Sequence, residues 1–232
     1  MSRVSLSVGI LSADFFEIKS AMAVINASAA DAIHFDVMDG VFVPNITFGA
    51  ALVRSLRKHS RKVFDVHLML ADPLPYVRSF ADAGADIIKL HVESKNFLRA
   101  ARLARSLGVK VGMAVNASTP FAKFKAHLPI VDSVMLMTAK TGFAGQPFQA
   151  RQLAKIKRVA AACGGVSVKQ RWVYPFGWET TTMPAKEIQV DGGMDFKTAK
   201  LCVAAGANSI VSGSFIFKQR DFNEAAERFK SL

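Results

Sequence analysis

Residues 32–40 read AIHFDVMDG. The run is apolar, has strand length, and stops at an Asp-Gly turn. His34, Asp36 and Met38 fall at i, i+2 and i+4, so one strand face carries all three. VFDVHLML (63–70) repeats the plan, with His67 and Met69 on one face, and EIQVDGG (187–193) ends in Asp191 and two glycines. For any one of these polar residues, a strand end without function is an equal reading. The matched setting of all four is what points to a site.

Strand-like runs recur along the chain: VSLSVGIL (4–11), AIHFDVM (32–38), KVFDVHLML (62–70), DIIKLHVE (86–93), KVGMAVN (110–116), SVMLMTA (133–139), EIQVD (187–191) and SIVSGS (209–214). Amphipathic stretches lie between them, among them LPYVRSFADAG, NFLRAARLARSLG, FQARQLAKIKRVAAACG, DFKTAKLCVAAG and DFNEAAERFKSL. Most end at a Gly, a common helix stop. Eight strands alternating with helices over 232 residues predict one (β/α)8 barrel domain, an α/β fold. An open doubly wound sheet is the second choice, and the lack of GxGxxG after the first strand speaks against dinucleotide binding.

In such a barrel the chemistry sits at the C-terminal ends of the strands, where His34, Asp36, His67 and Asp191 are expected. Two imidazoles and two carboxylates suit one divalent first-row metal, Zn, Fe, Mn or Co. A metal beside two carboxylates is apparatus for moving a proton next to a carbonyl. Met38, Met69 and Met137, each near a strand end, are either flexible core filler or a water-excluding lining for that site. Gly142 and Gly145 in TGFAGQPF, Gly192 and Gly193 in VDGG, and Gly213 with Ser214 in VSGS follow the sixth, seventh and eighth strands. Turns of this kind offer backbone N–H groups to a phosphate.

The composition is 51% hydrophobic, enough for a large core. No apolar run reaches the roughly 18–20 residues of a membrane span, and the N-terminus makes a poor signal peptide. Cys163 and Cys202 have no metal-site spacing and are expected to fill helix faces in the cytoplasm. Lys and Arg total 30 against 18 Asp and Glu. They are scattered along stretches such as RSLRKHSRK (54–62), which read as solvated helix faces rather than a nucleic-acid surface. The positive field also suits a phosphorylated small molecule. The chain is expected to act as a homo-oligomer.

HFDVMDGVFVPNITFG, VHLML, TGFAGQPF, VDGG and VSGSFIF, taken in order, resemble the ribulose-phosphate 3-epimerase family from about residue 4 to the C-terminus. The resemblance implies a (β/α)8 barrel with one divalent metal that interconverts ribulose 5-phosphate and xylulose 5-phosphate. It places the metal ligands on His34, Asp36, His67 and Asp191, and the proton acceptor and donor on Asp36 and Asp191. The expected substrate neighbours are Gly9, His67, Met38, Met69 and Met137, with Gly142, Phe143, Ala144 and Gly145 after the sixth strand. Gly192, Gly193, Gly213 and Ser214 complete them.

The chain departs from the family at three places. Val8-Gly9-Ile10-Leu11 stands where the family has Pro-Ser-Ile-Leu, so Gly9 replaces a substrate-contacting serine. By strand alternation Ser12 faces away from Gly9, and Ser7 has the right parity but lies deeper. Thr141-Gly142-Phe143-Ala144-Gly145 stands for the commoner Pro-Gly-Phe-Gly-Gly and is similar to the allulose-6-phosphate 3-epimerase branch. That branch, or a sugar-phosphate binder with weakened catalysis, is the alternative reading. Third, residues 164–187 form a long connection holding Trp172, Tyr174, Pro175, Phe176 and Trp178. It is expected to make a short hairpin, with RWVY and ETTTM around a PFGW turn, that packs or contacts another subunit on the face away from the site.

Overall fold

The computed structural model describes residues 4–164, 170–173, 179–183 and 186–232. The strands are β1 (Ser5–Gly9), β2 (Ala32–Met38), β3 (Val63–Met69), β4 (Ile87–His91), β5 (Lys110–Val115), β6 (Ser133–Met137), β7 (Gln170–Val173), β8 (Glu179–Met183), β9 (Glu187–Asp191) and β10 (Ser209–Ser212). Eight of them close into a parallel barrel, ordered β1-β2-β3-β4-β5-β6-β9-β10 and back to β1. The fold is therefore the (β/α)8 barrel and not the open sheet.

Alternation assigns each strand to two interiors. Ile33, Phe35 and Val37 of β2 and Phe64, Val66 and Leu68 of β3 face outward, almost fully buried, into one apolar layer shared with helix residues such as Val53, Leu56 and Phe80. Each such side chain contributes about 1.5–3 kcal/mol by leaving water, so this outer layer carries most of the hydrophobic stabilisation. The opposite faces mix polar side chains with apolar ones such as Val63, Ile87 and Met135. Ser7, Asp65, Lys89, Gln189 and Ser209 are all buried, and buried polar groups persist only when hydrogen-bonded. Lys89 Nζ donates to Asp65 Oδ2 at 2.7 Å and to Gln189 Oε1, and Gln189 Nε2 donates to Ser7 Oγ at 3.1 Å. Space for the lysine comes from the neighbouring strand, where a Cβ on Gly112 would lie 2.4 Å from Lys89 Cγ.

The helices are α1 (Ile18–Ala27), α2 (Ala50–Arg57), α3 (Val77–Asp82), α4 (Phe97–Ser106), α5 (Phe121–Phe124), α6 (Leu153–Ala162), α7 (Phe196–Ala204) and α8 (Phe222–Lys230). α7 starts on a capping box, Asp195 with Thr198, which satisfies otherwise orphaned N–H groups. It stops just before Gly206, whose φ of +108° few other residues tolerate. α5 is a single turn continued as a 3-10 segment, Lys125–Ile130, that contains Pro129. A proline there lacks the N–H that a longer helix would need.

Three details differ from the sequence reading. The first strand ends at Gly9, and Ile10–Ser12 form a 3-10 turn. Strand alternation therefore does not extend to Ser12. Second, the strand run 209–214 stops at Ser212 and a 3-10 turn follows at Ile216–Lys218, while α8 falls within DFNEAAERFKSL as expected. Third, Cys163 caps the end of α6 and is half-buried, while Cys202 is buried in α7. In the long connection, β7 and β8 pair antiparallel, Trp172 opposite Thr180 and Val173 opposite Glu179. The aromatic turn at 174–178 lies outside the described residues. Among the described residues no helix is long and apolar enough to cross a membrane.

Candidate active site

The ligand candidates come from three strands. Register pairs Asp36 of β2 with His67 of β3, and Asp191 of β9 with Met137 of β6 and Val211 of β10. One donor atom from each of His34, Asp36, His67 and Asp191 falls within 4.8 Å of the other three. His67 Nδ1 lies 2.9 Å from Asp36 Oδ1, and His34 Nε2 lies 3.3 Å from the same oxygen. Both histidines are fully buried; the two aspartates are partly open.

These residues fit a cation. Asp65 is acceptor-only when ionised, and its Oδ2 lies 2.9 Å from His34 Nδ1, so that nitrogen carries the hydrogen. His34 Nε2 is then left as a lone pair aimed at the cluster, buried and with no hydrogen bond. Two carboxylates beside it add further lone pairs. A point ringed by donors of electron pairs calls for a metal or a proton.

The charges follow from this geometry. Burial works against a charged His34, but Asp65 and Asp36 outweigh it and raise the imidazole to about 10. Without a metal, a proton takes the lone pair that the metal would take. Burial also works against ionised Asp36, yet His34 and His67 hold it well below the usual carboxylate range. For Asp65 the burial cost is overcome by Lys89 and His34, again downward. Burial lowers His67 to about 4, against the hydrogen bond with Asp36 that works to raise it. Burial and then the Asp36 charge raise Asp191 to about 7.

Above the cluster opens a cleft of about 240 Å³. Gly9, Asp36, Met38, Met69, Met137, Asp191, Gly192, Gly193, Gly213 and Ser214 line it, with Gly142–Gly145 including Phe143 and Ala144. His67 does not, being wholly buried behind Asp36. Ser12 lines the cleft as well. Its Oγ lies 2.6 Å from where a Gly213 Cβ would stand, so the 3-10 turn delivers a hydroxyl that alternation alone would send elsewhere.

The glycine turns let two loops meet. A Cβ on Gly192 would lie 2.6 Å from Ala139 Cβ, and one on Gly193 2.6 Å from Phe148 N; both have positive φ. Thr138 seals this contact. Its N–H and Oγ1 donate to the Asp191 carbonyl at 2.7 and 2.8 Å, fixing the backbone of that carboxylate. On the other wall, Asp39 accepts from Val41, Phe42 and Ala71 N–H groups, folding the DGVF turn over β3. Asn45 then donates to the Gly142 carbonyl at 2.8 Å.

Sequence reasoning passed over Asp65, Lys89 and His91. Their signal was present. Asp65 is two residues before His67, and Lys89, His91 and Glu93 alternate within an otherwise apolar strand run. His91 Nε2 lies 2.9 Å from His67 Nε2, and His91 Nδ1 lies 3.0 Å from Glu93 Oε2.

A (β/α)8 barrel with two histidines and two aspartates gathered at its mouth has the arrangement of a barrel enzyme, whose reacting groups sit at the C-terminal ends of the strands. Residues 5–217 match the ribulose-phosphate 3 epimerase family as a whole, and the chain belongs to that family. It is 38% identical to the ribulose-phosphate 3-epimerase of Synechocystis sp. over 96% of this chain and 91% of that one. With its counterpart from Bacillus subtilis it shares 37% identity, over 98% of each chain. Among solved structures, 3-hexulose-6-phosphate synthase from Salmonella typhimurium superposes with a TM-score of 0.66 at 17% identity, over 98% of this chain and 97% of that one. At that identity the likeness concerns the fold alone.

Proposed function

We propose that this protein is a metal-dependent epimerase that interconverts D-ribulose 5-phosphate and D-xylulose 5-phosphate by proton transfer at C3. The observation that carries the proposal is the pair Asp36 and Asp191. β2 and β9 are three steps apart around the barrel, so their carboxylates approach one cleft from different sides. Inversion needs that arrangement, because one group must take the C3 proton from one face and another must return a proton to the opposite face. The environments also split the pair: Asp36 stays ionised and Asp191 is pushed up to about 7. Without the metal, Asp191 is thus the more basic of the two carboxylates.

His34, Asp36, His67 and Asp191 would hold the metal, which when bound supplies positive charge for the oxygens of the enediolate. The remaining work falls to the chain. Met38, Met69 and Met137 exclude water without offering a competing acid or base. Backbone N–H groups of Gly192, Gly193, Gly213 and Ser214, which line the cleft, would take the phosphate. The proposed metals are Zn, Fe, Mn and Co, and all are compatible with this donor set.

Metal affinity should rise with pH. Binding requires the lone pairs of His34 and Asp191, which hold protons up to about 10 and about 7. Below about pH 7 both protons must leave, so log K should climb by about two per pH unit; above it only the His34 proton remains, and the slope should fall to about one. Chelator competition for Zn²⁺ across this range checks it. A flat profile would show that these groups do not hold the metal.

A second reading has one observation in its favour. Gly9 leaves the wall of the cleft without a side chain where the family serine stands, which gives room for the six-carbon ketose phosphate, allulose 6-phosphate. A Cβ at position 9 would meet Gly213 Cα at 3.5 Å and Val211 Cγ1 at 3.8 Å, ordinary contacts, so serine fits. Gly9→Ser is expected to raise kcat/KM for ribulose 5-phosphate about fivefold, the equivalent of one hydrogen bond of about 1 kcal/mol, and to lower it for the longer substrate. Steady-state kinetics on both phosphates decides. No change with either would make position 9 silent.

A further inference from the structure

We propose that His91 and Glu93 are positioning residues that set the tautomer of His67, so that its Nδ1 presents a lone pair to the metal. The inference rests on the metal-site reading above and adds two residues that touch neither metal nor substrate.

Glu93 is a carboxylate and can only accept hydrogen bonds. Its Oε1 already accepts from the Asn116 N–H at 2.9 Å and from the Thr119 hydroxyl. Its Oε2, 3.0 Å from His91 Nδ1, therefore requires the hydrogen there. In a neutral imidazole that leaves His91 Nε2 as an acceptor, and it faces His67 Nε2 at 2.9 Å. Asp36 Oδ1 also calls for a hydrogen, on His67 Nδ1, but a cation seated between them removes that demand, so in the metal-loaded protein His67 carries its hydrogen on Nε2 and its Nδ1 is bare. That is the nitrogen 2.9 Å from Asp36 Oδ1, inside the ligand cluster. In the loaded protein Glu93, at the outer end of the chain, thus fixes every hydrogen along it.

The surroundings leave little freedom. His67 and His91 are fully buried, their ring centroids 5.0 Å apart, and Phe42 packs on the other side of His91 at 4.6 Å. Glu93 is pinned by the turn after β5. That turn also receives the Thr141 hydroxyl on Asn116 Oδ1 at 2.7 Å, so the loop that covers the cleft is tied to the same support. His34 is oriented by Asp65 directly. His67 is oriented through a second histidine, which moves the carboxylate away from a cluster already holding two.

Variants at both positions test this with Zn²⁺ alone as the probe. In Glu93→Gln, the amide oxygen stays with its two donors and the NH₂ faces His91 Nδ1. His91 must then protonate Nε2, which opposes the hydrogen on His67 Nε2 and drives that hydrogen to Nδ1, into the ligand set. The Zn²⁺ affinity should fall about tenfold to a hundredfold, the range for loss of a histidine's outer partner. His91→Leu removes the acceptor and should fall as far. His91→Gln keeps a carbonyl acceptor and should stay within a few-fold of the unaltered protein. In the Zn²⁺-loaded protein, ¹⁵N spectra should show His67 protonated at Nε2. Melting of the metal-free variants identifies any that misfold, and the spectrum of the unaltered protein then decides alone. Unchanged affinity in Glu93→Gln, equal loss in His91→Gln and His91→Leu, or a bare His67 Nε2 in the loaded protein would each overturn the inference. Failure of the unaltered protein to bind Zn²⁺ would instead overturn the metal reading, and this one with it.

Discussion

Asp191→Asn is expected to lower kcat with ribulose 5-phosphate by about 10²-fold or more, since it removes one of two proton-transferring groups. The substitution is nearly isosteric. The backbone of residue 191 remains held by Thr138, so the loss reports on the carboxylate. Asp36→Asn should lose as much from the other face. Each residue is also a metal ligand, and the bound metal of each variant must therefore be measured beside its rate. A variant that keeps its metal should still exchange the C3 proton with solvent on the intact side while failing to invert. Near-normal turnover in both metal-loaded variants would mean that the two-carboxylate mechanism is wrong.

The second large effect concerns stability. Lys89→Met should destabilise the protein by about 3–5 kcal/mol, the cost of removing one partner from a buried ion pair. Lys89 is fully buried, donates to Asp65 and Gln189, and lies 3.9 Å from Glu187. Its loss leaves the buried Asp65 carboxylate to the His34 imidazole, 2.9 Å away. That is a large share of the roughly 5–15 kcal/mol that stabilises a typical domain. Adding Asp65→Asn should recover part of it, because the charge is then no longer stranded. Urea unfolding of the metal-free proteins measures both. A cost under about 1 kcal/mol for the single change would show that the polar interior does not depend on this pair.

The fold was legible because the barrel strands are short runs rich in apolar residues, and most of the helices between them stop at glycines such as Gly206. It was less legible where local geometry breaks the period. The 3-10 turn at Ile10–Ser12 ends the alternation that would have sent Ser12 out of the cleft, and the fifth helix is a single turn that continues as a 3-10 segment containing Pro129. The cluster of His34, Asp36, His67 and Asp191 could be named from strand ends. Its supports could not be paired, although Asp65, Lys89 and His91 share the inward parity. Lys89 and Gln189 are 100 residues apart, and it is the stagger of a closed barrel, absent from any one segment, that makes them partners. His67 reads in the sequence like a residue open to substrate. The structure buries it behind Asp36, because β3 is covered along its whole length.

The central claim is inversion at C3 by two carboxylates of this chain on ribulose 5-phosphate. Turnover of that substrate by the metal-loaded protein in D₂O, followed by proton NMR, tests it most directly. The account predicts xylulose 5-phosphate with deuterium at C3 from the first turnover, because the returning proton comes from a second acid that has exchanged with solvent. Product retaining its original C3 proton, or no xylulose 5-phosphate at all, would contradict it.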